Sequence, residues 1–225
     1  MLTSSPKFVI VASTGGAVMN ELLKVPFFHE LIYSVVSDRS CPAIAKAADH
    51  SIQTRVFPEK DKAVFCARLL EYLNGNQIDY VISFFTKLFV GELLTTYSDC
   101  IINLHPSLLP AFKGQDGFGD ALAYGVNVAG TTIHFIDEKM DEGKIIIQTS
   151  FPLDPTASTG RNRHRVFQHQ CQSLLQVVKW LTDGRLVVEG KRVVLQNARY
   201  VDSEFVPALD FSVAKNLAIP YSGND

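Results

Sequence analysis

Five consecutive apolar residues, Phe8-Val9-Ile10-Val11-Ala12, run into Ser13-Thr14-Gly15-Gly16 and then into a helical stretch near Val18 to Lys24. A strand that is apolar at every position is covered on both faces, which is the habit of parallel sheets. The pattern recurs. Glu30 to Val36 reads as a strand with Ser37-Asp38-Arg39 as its turn, Pro42 to Asp49 as an alanine-rich helix with proline at its start, and Ile52 to Phe57 as a short strand. Asp61 to Leu73 carries Val64, Phe65, Leu69, Leu70 and Leu73 at helical spacing and ends at Asn74-Gly75-Asn76, after which Tyr80-Val81-Ile82 starts a buried strand. Alternating strands and helices predict an α/β fold: a Rossmann-like, mostly parallel sheet with helices on both faces, and a ligand crevice at the carboxyl ends of its strands.

One of those ends carries chemistry. The buried run Cys100-Ile101-Ile102 leads into Asn103-Leu104-His105-Pro106-Ser107-Leu108-Leu109-Pro110, where Asn103 and His105 share one face because strand side chains alternate. The prolines and Gly114 forbid regular structure beyond, so the pair sits where strand gives way to loop. An Asn amide donates to an oxygen gaining negative charge, and an imidazole relays a proton near neutral pH, a combination suited to acyl or formyl transfer. Spacing alone favours the plainer alternative, an asparagine that ties off a turn and a satisfied, partly buried histidine.

Past this point Asp120 to Tyr124 predicts a helical turn and Gly125 to Gly130 a loop. Thr131 to Ile136 and Lys144 to Thr149 read as an antiparallel pair across the acidic turn Asp137 to Gly143. That turn, DEKMDEG, lacks the DxDxDG spacing of a calcium loop, and no HExxH occurs, so no metal site is expected. Arg165 to Asp183 is a helix with an apolar side, ended by Gly184; Arg185 to Val188 and Arg192 to Leu195 form a terminal hairpin. The expected organisation is one domain over 1–206 and a tail over 207–225. The basic run Arg161, Arg163, His164, Arg165 fits either an anion contact or a solvated helix entrance.

Composition narrows the partners. With 225 residues, 47% of them hydrophobic, the chain can bury a full core, and its net charge of −2 provides no field for nucleic acid. Four scattered cysteines without a CxxC fit reduced thiols, no apolar stretch approaches the roughly 18 residues of a membrane span, and no signal-like N-terminus is present. A cytoplasmic protein acting on small molecules is expected. The Ser13 to Gly16 turn can hold a phosphate on backbone N–H groups or merely turn the chain, since GxGxxG spacing is absent.

NLHPSLLPAFKG, AGTTIHFIDEKMDEGKIIIQ and KWLTDGRLVVEGKRVVL resemble the folate-dependent formyltransferase family over about Phe8 to Leu195. The resemblance implies a Rossmann-like domain that moves a formyl group from 10-formyltetrahydrofolate to a primary amine without a metal. In the most similar branch that amine is glycinamide ribonucleotide of purine biosynthesis; a nucleotide-linked amino sugar or a hydroxylated amino acid is the alternative, and a non-catalytic folate binder a third. It places the catalytic set on Asn103, His105 and Asp141, the folate pocket on Thr86, Lys87, Leu88, Phe89, Asp137, Glu138, Lys139 and Met140, and the acceptor on Gly15, Gly16, Ala17, Val18, Lys62 and Gln170. It also implies a cis Leu109–Pro110 peptide. The chain departs from the family at four places: Ala17-Val18 stands for Ser-Asn, Lys62 for arginine, Gln170 for glutamate, and Gln115-Asp116-Gly117-Phe118 for a histidine-containing loop.

Overall fold

The computed structural model describes residues 5–201 and 203–223. Two compact units make up the chain: residues 1–103 with 135–140, and residues 104–134 with 141–225. In the first lie β1 (Phe8–Ala12), α1 (Ala17–Leu22), α2 (Pro26–Leu31), β2 (Ile32–Ser37), α3 (Pro42–Asp49), β3 (Thr54–Val56), α4 (Lys62–Gly75), β4 (Tyr80–Phe84) and α5 (Glu92–Thr96). Strand β5 (Ile101–His105) leaves that unit after Asn103. The rest comprises α6 (Gly117–Tyr124), β6 (Val128–Phe135), β7 (Ile145–Pro152), α7 (Thr159–Thr182), β8 (Leu186–Glu189), β9 (Arg192–Leu195), β10 (Phe205–Val206) and α8 (Ser212–Lys215).

An eight-stranded sheet in the order β10-β7-β6-β5-β4-β1-β2-β3 is accompanied by a separate β8-β9 pair. Strands β1 to β5 pair in parallel, the arrangement that the fully apolar run of β1 predicts, whereas β6 with β7, β7 with β10, and β8 with β9 are antiparallel. Every residue of β1 is buried, and α4 lays Phe65, Cys66, Leu69 and Leu73 into the same core. Each buried Val, Ile, Leu or Phe among them contributes about 1.5–3 kcal/mol on leaving water.

Several boundaries differ from the sequence reading, for identifiable reasons. The stretch from Glu30 divides: Pro26 opens α2, Phe28 and Leu31 are buried on it, and the strand starts only at Ile32. Helix α6 starts at Gly117, not Asp120, because the Asp116 carboxylate caps it on the Gly119 N–H. Likewise α7 begins at Thr159, where Ser158 accepts from the Arg161 N–H. The stretch expected as a tail is docked. Gln176 of α7, fully buried, accepts from the Asp210 and Phe211 N–H groups and donates to Asp210 Oδ1, which also receives Trp180 Nε1, while Arg185 takes Oδ2. Burial pushes the Asp210 carboxyl upward, but Arg185 and the Trp180 and Gln176 bonds outweigh it and hold it below its ordinary value.

Candidate functional site

Parallel strands leave loops at their carboxyl ends, and there the polar residues gather. Asn103 lies on β5 opposite Ser83 of β4, half-buried, and His105 closes the strand two residues later on the same face. His105 is 3% exposed. Its Nε2 lies 2.8 Å from the Phe112 carbonyl oxygen. A carbonyl only accepts, so Nε2 carries the proton of that bond and Nδ1 is turned toward Asp141 Oδ2 at 3.5 Å. Phe112 has φ of 51°, a left-handed conformation rare for a bulky residue, which aims its carbonyl into the site; Ser107 Oγ also donates to it.

Asp141 is left-handed too, with φ of 55°, a conformation that aspartate tolerates. Its Oδ2 accepts the Gly114 N–H at 2.9 Å, and its Oδ1 lies 3.7 Å from His134 Nε2. One carboxylate thus faces two buried imidazoles. The preceding loop is anchored: Thr132 Oγ1 donates to the Ser107 carbonyl and accepts the Leu109 N–H, and Gln148 Nε2 donates to the Leu109 carbonyl. The Leu109–Pro110 peptide is cis. Such an arrangement can hold a ring in one orientation and stabilise a proton arriving on it.

The other carboxyl ends lie in the first unit. After β1, Gly16 is left-handed and caps α1, and a Cβ there would come within 2.8 Å of the Ala43 Cβ. Lys46 Nζ donates to the Gly15 carbonyl, and Ala17 and Val18 open the helix without a side-chain cap. Thr86 N–H donates to Ser13 Oγ. Lys87 Nζ lies 2.6 Å from Asp38 Oδ2, and Arg39 donates to both oxygens of the same carboxylate. The Arg39 bonds, with Lys87 adding to them and burial opposing, hold Asp38 below its ordinary pKa. Leu88 is exposed, whereas Phe89 is buried and stacks on Phe85. Lys62 is exposed at the start of α4. In the turn after β6 the Lys139 N–H bonds to Asp137 Oδ1, and Glu138 and Met140 are exposed.

Gln170 of α7 lines a cavity of about 320 Å³ with Leu104, Pro106, Phe118, Arg163 and Phe167. The structure therefore brings together His105 and Asp141, which the sequence reading named, and adds His134 and the Phe112 carbonyl; Arg163, named in the sequence reading only within the basic run, lines the cavity with Gln170. His134 carried one sequence signal: it alternates with Thr132 along β6. Among the described residues no set of three His, Cys, Asp or Glu side chains is placed to hold a metal ion.

Residues 7–178 match the formyl transferase family. Phosphoribosylglycinamide formyltransferase of Bacillus subtilis (strain 168) is 33% identical over 174 residues, spanning 73% of this chain and 89% of that protein. Among solved structures, glycinamide ribonucleotide transformylase 1 from Symbiobacterium toebii is similar with a TM-score of 0.78 at 29% identity, covering 85% of this chain and 94% of that one. A formyltetrahydrofolate deformylase from Burkholderia mallei ATCC 23344 has a TM-score of 0.73 at 28% identity, covering 85% and 70%.

Proposed function

This chain belongs to the formyl transferase family, and from that premise we propose that it transfers the formyl group of 10-formyltetrahydrofolate to the primary amine of glycinamide ribonucleotide, in the purine pathway and in the cytoplasm. Its partners are then the two small molecules, with neither nucleic acid nor membrane. The observation that carries the reading is His105 set against Asp141 at 3.5 Å, two residues beyond an amide on the same strand.

In this mechanism the amine attacks the formyl carbon, and the Asn103 amide donates to the oxygen as it becomes an oxyanion. His105 and Asp141 hold the proton that the attacking nitrogen sheds, directly or through a water, until the folate nitrogen takes it as the C–N bond breaks. Asp141 stabilises the ring while it carries charge; His134 and the Gly114 N–H keep the carboxylate oriented. We assign the folate to Thr86–Phe89 and Asp137–Met140, and the acceptor to Gly15–Val18, Lys62 and Gln170.

The test is product analysis after incubation with 10-formyltetrahydrofolate, with and without glycinamide ribonucleotide and beside a panel of other amines. Amine-dependent formation of the formylated ribonucleotide is expected. Likeness to a deformylase makes water the rival acceptor; release of formate at the same rate without any amine would favour that hydrolytic reading instead.

A further inference from the structure

Strand β5 ends at His105, because Pro106 has no N–H with which to continue a ladder, and the next side chain, Ser107, is 2% exposed. A hydroxyl has one proton to give, and this one is set between two consecutive carbonyls. Ser107 Oγ lies 2.6 Å from the Ala111 oxygen and 3.2 Å from the Phe112 oxygen. The second of these oxygens is the one that accepts the His105 Nε2 proton, at 2.8 Å. Ser107 is pinned in turn, since its own carbonyl accepts from Thr132 Oγ1 at 2.7 Å. Helix α6 begins against the same bond: a Cβ on Gly117 would come within 2.6 Å of the Phe112 oxygen and 2.7 Å of His105 Nε2. The bond that orients the imidazole is thus flanked by a buried hydroxyl and the start of a helix.

Phe112 needs that support. A left-handed φ of 51° is sparsely populated by bulky residues and persists only where the surroundings over-determine it. Two rigid peptide planes flank the Phe112 Cα, and their relative orientation is what its φ and ψ describe. The Ser107 hydroxyl touches an oxygen of each plane, so one side chain holds both dihedrals. Without it the plane between Phe112 and Lys113 is free to turn, and with that plane goes the acceptor that keeps the proton on Nε2 and leaves Nδ1 toward Asp141. We propose that Ser107 is a positioning residue for His105: it locks the Phe112 backbone and, through that carbonyl, fixes the orientation and tautomer of the imidazole for proton transfer. This inference rests on the formyl-transfer reading above and adds to it a residue that acts only through His105.

The experiment measures kcat and the KM of acceptor and folate for formylation of glycinamide ribonucleotide by the unmodified protein, Ser107→Ala, Ser107→Cys and Ser107→Thr, and repeats Ser107→Ala in a His105→Ala background. Ser107→Ala should lower kcat by about 10- to 100-fold, the cost of a misplaced catalytic group, with both KM values within about twofold. Ser107→Thr keeps the hydroxyl and should recover most of kcat; Ser107 lines a cavity of about 120 Å³ with Leu108, Ala111, Phe112 and Val128, which has room for the added methyl. In the His105→Ala background, loss of the hydroxyl should cost less than about twofold more, because the ring it positions is gone. Circular dichroism identifies any variant that fails to fold, and Ser107→Cys, whose thiol donates only weakly, then carries the comparison. Full kcat in a folded Ser107→Ala overturns the inference while leaving formyl transfer intact. So does a loss confined to KM, which would make Ser107 part of the binding surface, and so does an equal loss with and without His105, which would make its role independent of the ring. If the unmodified protein formylates no amine at all, the broader reading fails first and this inference with it.

Discussion

Asp141 and Asp38 are both carboxylates held away from water, with 9% and 1% of their side chains exposed, but their neighbours differ. Asp38 is gripped by Arg39 and Lys87, two cations whose charge does not change near neutral pH. Asp141 faces two imidazoles, those of His105 and His134. A carboxylate between permanent cations is neutralised once, when the chain folds, and serves to hold two basic side chains and a loop in place. Between imidazoles, on the mechanism proposed above, it steadies a ring that passes a proton. On that mechanism, the difference separates a scaffold from a working site within one chain.

The largest expected effects break the Asp141 side of that contrast. His105→Ala and Asp141→Ala should each lower turnover by about 10²–10⁴-fold, and Asn103→Ala by about 10²–10³-fold, with melting temperatures little changed. Steady-state rates with saturating folate and amine read this directly; a variant that keeps near-normal turnover removes its residue from the mechanism.

Asp38→Asn should do the reverse, costing about 1–2 kcal/mol of stability, since Arg39 is half exposed and its bonds are discounted for water. Because the folded carboxyl sits below its ordinary value, this stabilisation is present above pH about 4 and disappears as pH falls through the lowered folded value. Urea midpoints measured from pH 7 to pH 3 should therefore converge for the two proteins in acid. A constant gap would deny the ion-pair account.

A third histidine sharpens the comparison by failing to resemble the other two. His169 of α7 is buried among Phe151 and Phe205 with Nδ1 unbonded, and burial, helped by Arg165, lowers it to about 4. It stays neutral in the fold while the unfolded chain takes up a proton below about 6.5. Stability should consequently fall between pH 6.5 and 4, by about 1–3 kcal/mol with Glu204 at 3.3 Å opposing. His169→Leu should flatten that part of the pH–stability curve; an identical slope in both proteins would show that the acid sensitivity lies elsewhere.

The smallest effect concerns the glycine turn. Ala17→Ser with Val18→Asn should tighten acceptor binding by about tenfold or less, because hydrogen bonds to charged groups are worth about 1.5–3 kcal/mol and the backbone N–H groups already offer some. Titration calorimetry with glycinamide ribonucleotide shows it, and unchanged affinity means the backbone suffices.

The parallel core was legible because it is written locally: β1 is a continuous apolar run, β4 opens on Tyr80-Val81-Ile82, and α4 carries its spacing within one stretch. The polar pair on β5 was legible for the same reason. His105 and Asp141 are far apart in the chain, and their partnership came from the family resemblance, not from spacing. The Phe112 carbonyl had no signal, since nothing in Ala111-Phe112-Lys113 announces a left-handed phenylalanine. Helix α2 was hidden because Leu31 ends a helix face and Ile32 begins a strand, leaving one unbroken apolar run. The docked C-terminal stretch escaped because Asp210 gains its role only from Gln176, Trp180 and Arg185, which lie well before it in the chain.

The central claim is that His105 and Asp141 work as one unit in formyl transfer, and a double-mutant cycle tests it most directly. Measured as kcat/KM for formylation of glycinamide ribonucleotide, His105→Ala, Asp141→Ala and the combined variant should show losses far from multiplicative, the double variant falling little below the worse single one. Losses that multiply across the cycle would mean that the two residues act independently and that the 3.5 Å contact has no part in the chemistry.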